Sequence, residues 1–140
     1  MIKLIVGKKG SGKSRALIND ANEVVKNAKG HIVFIDEDNS RMFQIDYKIR
    51  FMGIKEYQLT NDENFYGFLC GIIASNYDVD HIYIDGLTNI VEMELADLEE
   101  FFRKIDELEV KYNINFIFTI NDTGEELPTF LENYMIYDIK

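Results

Sequence analysis

Eight residues, GKKGSGKS at positions 7–14, constrain this chain more than any other stretch. They satisfy G-x-x-x-x-G-K-[ST] through Gly7, Gly12, Lys13 and Ser14, with an apolar run (IKLIV, residues 2–6) leading in and a helix-like stretch leading out. Glycines let backbone N–H groups curl around a compact anion without Cβ clashes. The following helix aims its positive end at the same point. Gly7, Lys8, Lys9, Gly10, Ser11, Gly12, Lys13, Ser14 and Arg15 are therefore read as a cradle for nucleotide phosphates. Lys13 would reach the β- and γ-phosphates, and the Ser14 hydroxyl would hold Mg²⁺.

Strand-like and helix-like runs alternate along the rest of the chain, the pattern of a parallel sheet covered by helices. Strands are expected at residues 2–6, 31–36, 48–54, 81–85, 114–120 and 134–139. Helices are expected from about Lys13 to Lys29 with Gly30 as the stop, over 63–75 with Asp62 as N-cap, over 94–112, and from Glu125 to about Asn133, interrupted or started by Pro128. In the third of these, Leu95, Leu98, Phe101, Phe102, Ile105, Leu108 and Tyr112 form one apolar stripe. Several strands are unbroken apolar runs, as for strands buried on both faces. The expected architecture is an α/β, three-layer αβα sandwich with a mostly parallel sheet of about five strands, formed as one domain over residues 1–140.

Ligands of such sheets bind at the carboxyl ends of the strands, where the phosphate loop, Asp36–Asp38, Asp85 and Thr119–Asn121 all fall. A carboxylate at the tip of a buried strand is costly unless it meets a cation or hydrogen-bond donors. Asp85, ending the run IYID, is thus assigned with Ser14 to Mg²⁺. The other reading is a turn aspartate before Gly86.

These segments resemble those of the P-loop NTPases, and within them the RecA-like division, over nearly the whole length. VFIDEDNS at 33–40 looks like the strand-end acidic segment carrying the general base, IYIDGLTNI at 82–90 is similar to the Walker B strand, FIFTIND at 116–122 to the sensor strand, and YMIYDIK at 134–140 to the strand after it. The resemblance implies catalytic roles for Lys13, Asp85 and a base in the acidic trio, Glu37 first and Asp38 second, with Thr119 or Asn121 as sensor of the γ-phosphate. Gly86 departs from the small hydroxyl residue usual after the Walker B aspartate, and no mobile DNA-binding loops fit between 85 and 114. No arginine finger is assigned; Arg41, Arg50 and Arg103 are the candidates. Lys8 also resembles the early lysine of the partitioning ATPases, although Lys9 stands where that loop needs glycine. The chain is further similar to small uncharacterised bacterial P-loop proteins labelled after pilus-retraction (twitching-motility) ATPases, without the histidine- and acid-rich motifs of the retraction family.

Charge and composition narrow the function. The net charge of −10 is uneven: residues 1–60 carry 11 Lys/Arg against 7 Asp/Glu, and residues 61–140 carry 4 against 18. The basic half is largely the phosphate loop, which argues against nucleic acid as the main partner. The asymmetry suits head-to-tail self-association, or simply marks a solvated acidic helix face. The lone Cys70 provides no disulfide framework, and His31 and His81 read as strand-edge residues. No apolar run approaches the ~20 residues of a membrane span, and the opening strand leaves no room for a leader, so no membrane partner is expected and the expected location is the cytoplasm. No N-K-x-D segment reads guanine and no arginine-rich lid suggests a kinase, so ATP is the expected nucleotide. The expected activity is weak Mg²⁺-dependent ATP hydrolysis, raised by self-assembly or a protein partner. The alternatives are a non-hydrolysing ATP sensor or scaffold, and an assembly subunit whose P-loop organises a larger machine.

Overall fold

The computed structural model describes residues 1–139; Lys140, the last residue of the C-terminal segment, lies outside them. Six parallel strands form one sheet: β1 (Ile2–Gly7), β2 (His31–Asp36), β3 (Arg50–Gly53), β4 (Val79–Ile84), β5 (Asn115–Asn121) and β6 (Met135–Ile139), in the order β3-β2-β4-β5-β1-β6. Each of the six expected strand segments is a strand of this sheet, one more than the count of about five expected for it, and both sheet edges are short strands. All pairings are parallel, because every connection crosses over a sheet face.

The faces are covered unequally. On one, α1 (Lys13–Val24) buries Leu17, Ile18 and Ala21 against Ile5, Ile32, Phe34, Tyr83 and Ile117. On the other, α2 (Asp62–Ser75), α3 (Leu87–Val91) and α4 (Glu99–Tyr112) bury Phe65, Leu69, Phe101, Phe102 and Ile105 against Leu4, Val33, Ile82, Phe116 and Phe118. Central strands therefore carry apolar side chains in both directions, which is why they read as runs. The three-layer fold is the one the sequence predicts. No helix among the described residues is long and apolar enough to cross a membrane.

Local differences have physical causes. The helix expected over 94–112 starts late: Leu95–Asp97 form a 3₁₀ turn, and only then does α4 begin, at Glu99. A 3₁₀ turn also repeats every three residues, so the Leu95–Leu98–Phe101 spacing fits either geometry. Pro128 is extended (ψ 143°), leaving the expected helix at 125–133 as one 3₁₀ turn, Thr129–Leu131. α1 stops at Val24, short of Lys29. Asn61, not Asp62, caps α2, its Oδ1 accepting from the Asn64 N–H at 2.7 Å.

Candidate functional site

The order of the sheet builds the site. β5 stands between the P-loop strand β1 and β4, with Gly7 in register with Asn121 and Ile84 with Phe118, while Ile35 of β2 pairs with Ile84 on the far side. Four carboxyl-terminal strand ends therefore meet beside the start of α1. A cavity of about 500 Å³ opens there, and Lys13, Ser14, Asp36, Glu37, Asp85 and Asn121 are among the residues that line it.

Glycines set the shape of the loop. Gly10 and Gly12 take positive φ values, 81° and 99°, which only glycine adopts freely. A Cβ on Gly7 would come 2.5 Å from Ser11 Oγ and 3.1 Å from the Ile139 carbonyl oxygen, so a larger residue there would force the loop to shift. The Gly12 cap supplies no side-chain hydrogen bond, and no acidic residue sits in the first turn of α1. α2, by contrast, has both the Asn61 cap and Asp62 and Glu63 in its first turn. The positive end of α1 is thus left for something outside the chain. Lys13 is buried and donates from Nζ to the Lys8 carbonyl at 3.0 Å; loss of water pulls its pKa down, and the Asp85 carboxylate partly offsets this. The Ser11 hydroxyl is buried without a partner.

Two acids face this loop from adjacent strand ends. Asp85 is buried; its Oδ1 accepts from the Thr119 hydroxyl at 2.6 Å, and that hydroxyl accepts from the Gly86 N–H at 2.7 Å. Asp85 Oδ2 has no hydrogen-bond partner and only a distant cation, Arg41 Nη1 at 3.7 Å. Asp36 is also buried. Its Oδ1 accepts from the Glu37 N–H at 2.8 Å, and Arg41 Nη1 lies 3.5 Å from its Oδ2. Burial and the neighbouring Asp85 push the Asp36 pKa up to about 6, against the pull of the Glu37 N–H and Arg41. Glu37 is half-buried and lies alongside Gly86, whose left-handed φ of 79° and missing Cβ leave that space open. Asp38 is exposed and committed to a turn: its Oδ1 accepts from the Ser40 N–H at 3.0 Å and the Ser40 hydroxyl at 2.7 Å, which hold its carboxyl below the usual range.

A divalent cation fits this donor set. An orphaned, buried carboxylate oxygen on Asp85, a second acid beside it and the Ser14 hydroxyl across the same cavity offer hard oxygen ligands. No group of three or more metal-binding side chains occurs among the described residues.

Of the residues singled out in the sequence, Lys9, Gly10, Lys13, Ser14, Glu37, Asp38, Asp85, Thr119 and Asn121 line the one cavity. Arg15 lies on the outer side of the loop, and Lys8 and Ser11 on its flank toward β6. Asp36, named only as a member of the acidic trio, and Arg41, named only as one of three candidate arginines, join the site, as does Asn89, which was not singled out. Asp36 left a legible signal: HIVFID and HIYID are parallel runs that both end on Asp. Asn89 left none of its own, and Arg41 only that of being one of the chain's few arginines.

No protein-family model and no curated protein matches the chain. Solved structures do. A KaiC-like protein from the hyperthermophilic archaeon Pyrococcus horikoshii OT3 superposes with a TM-score of 0.66 at 15% identity, over 94% of this chain and 67% of that one. At that identity the likeness is one of fold.

Proposed function

We propose that this chain binds ATP with Mg²⁺ through the P-loop and hydrolyses it slowly, with turnover raised by self-assembly or a protein partner. The observation that carries the reading is the start of α1: uncapped, free of acid and set beside a buried lysine. An isolated buried ammonium is unfavourable, and a phosphate chain is the ligand that uses the lysine and the open helix end together. ATP follows from the missing guanine-reading segment.

Lys13 would turn from the Lys8 carbonyl to the phosphates. Ser14 and Asp85 would hold Mg²⁺, with Thr119 fixing the Asp85 carboxylate through its hydroxyl. When bound, the metal neutralises charge on the β- and γ-phosphates. Glu37 is supported as the base because it lines the cavity with its carboxylate free, whereas Asp38 is tied down by Ser40. It would take a proton from a water whose oxygen bonds to the γ-phosphorus. The bond from that phosphorus to the bridging oxygen breaks, and ADP leaves with the electron pair. Asn121 would sense the terminal phosphate, since the Thr119 hydroxyl proton is given to Asp85.

The test pairs binding with turnover. Calorimetry with ATP and Mg²⁺ should show binding to the wild type. Glu37→Gln should keep that affinity and lose about 10²-fold or more in hydrolysis, while Asp38→Asn should lose far less. Wild-type turnover at background would favour the sensor reading; no binding would end both.

A further inference from the structure

Arg41 sits where the two buried acids need a cation, yet it is held loosely. Its Nη1 approaches Asp36 Oδ2 at 3.5 Å and Asp85 Oδ2 at 3.7 Å, beyond the 2.7–2.9 Å of a charge-assisted hydrogen bond. Its side chain remains 44% exposed. Its backbone, in contrast, is anchored on both sides. Before it, Ser40 is fixed by the Asp38 turn. After it, the Asn22 side chain on α1 donates to the Gln44 carbonyl and accepts from the Asp46 N–H, both at 2.9 Å, and Ile45 and Ile49 are buried beneath. The loop is thus clasped to the very helix that begins at the phosphate loop. A fixed base with a free head is the arrangement of a side chain that changes partners.

The other arginines are placed elsewhere. Arg50 begins β3 at the amino end of the sheet, Arg103 is engaged by Glu100 and Glu107 on the outside of α4, and Arg15 is exposed on the outer side of the loop. Arg41 alone of them lines the acid cavity, and it also borders the outer cavity along the phosphate loop. Charge gives the same answer. Asp36 and Asp85 are matched by Lys13 and Arg41 in the absence of ligand. A divalent cation on the carboxylates removes the attraction for Arg41, while a triphosphate beside Lys13 brings more negative charge than one lysine neutralises. The guanidinium fork suits two phosphate oxygens better than an ammonium does.

We infer that Arg41 is a counter-ion acting within its own chain: it screens Asp36 and Asp85 when the site is free, gives way when the divalent cation is held at Asp85, and then contacts the terminal phosphate of the nucleotide bound to the same P-loop. This rests on the reading of the site as an ATP site. It locates the missing arginine in cis, so that self-assembly or a partner accelerates turnover by releasing Arg41 rather than by donating an arginine.

The experiment uses the full chain as wild type, Arg41→Gln and Arg41→Lys. Three readings are taken: Mg²⁺ affinity without nucleotide, the ratio of ATP to ADP affinity with Mg²⁺, and single-turnover hydrolysis across a dilution series. Arg41→Gln should bind Mg²⁺ alone several-fold more tightly. It should lose about ten- to a hundred-fold in its preference for ATP over ADP, the worth of one charged hydrogen bond. Its single-turnover rate should fall about 10²-fold or more at every dilution, with Arg41→Lys in between. A mixture of Arg41→Gln with a Lys13→Ala chain, which retains Arg41, should gain nothing. Recovery in that mixture would place the arginine in trans and overturn the inference. So would an unchanged ATP-to-ADP ratio, which reads out even where turnover is at background. Failure of the wild type to bind ATP would instead remove the underlying reading.

Discussion

The two ends of the same sheet treat their polar groups in opposite ways. At the amino end of β4, Asp80 Oδ1 lies 2.7 Å from His81 Nδ1, and its Oδ2 accepts from the Gly30 N–H at 2.9 Å. Nearby, His31 and Asn76 bond to each other, and Asn115 donates to the Asp80 carbonyl. Five residues on, at the carboxyl end, Asp85 keeps an unpartnered oxygen, Asp36 Oδ2 has only a distant arginine, and the Ser11 hydroxyl is buried unpaired. Buried polar groups are ordinarily paired. Where the chain closes its own network, the residues hold the fold. Where it leaves donors and acceptors over, they are open to a ligand that would complete them.

Removing Lys13 breaks the comparison most sharply. Lys13→Ala should cost ATP about a hundred-fold or more in affinity, the loss of a charged contact to phosphate. The ligand-free protein should change by less than about 1 kcal/mol, because the buried ammonium donates only to the Lys8 carbonyl and desolvation offsets that bond. Calorimetry and chemical denaturation of the same samples measure both. A variant that unfolds while still binding ATP would mean the lysine is structural.

One strand then provides a matched pair. Asp85→Asn keeps the oxygen that accepts from Thr119 and removes a charge with no hydrogen bond on its other side. It should leave ligand-free stability unchanged or raised, and lower the Mg²⁺-dependent part of ATP affinity about tenfold. Asp80→Ala should do the reverse: it strands the Gly30 N–H, costs about 1–2 kcal/mol in denaturant unfolding, and leaves ATP affinity alone. Equal destabilisation by the two would erase the distinction between the ends.

The sequence carried those features that local chemistry dictates and lost those that depend on distant packing. The turn between β1 and α1 was legible because the positive φ of Gly10 and Gly12 needs glycine whatever surrounds it. The sheet was legible because strands buried on both faces, such as Phe116–Ile120, cannot alternate. Asp85 was legible as an acid closing an apolar run. Arg41 was not: its place depends on Asn22, on Ile45 and Ile49 beneath its loop, and on Gly53, where a Cβ would collide with Asn39. Nor did a threonine on a buried strand announce that its hydroxyl would serve Asp85. α3 escaped because five residues show no period.

The smallest effect is the one that titrates. Asp36 has a pKa near 6 in the folded chain, against 3.8 for the unperturbed group, so folding favours its protonated form. The stability this contributes is fully present below about pH 4 and disappears as pH rises through 6. Asp36→Asn cannot ionise, and its remaining oxygen still accepts from the Glu37 N–H. Without Mg²⁺ or nucleotide, the variant should match the wild type near pH 4 and exceed it by about 1–2 kcal/mol at pH 8, a shift of some two units discounted for the Arg41 contact it gives up. Denaturant unfolding across that range measures the difference. If the gap does not grow between pH 4 and 7, Asp36 ionises at no cost, and the carboxyl end of the sheet is as well satisfied as the amino end.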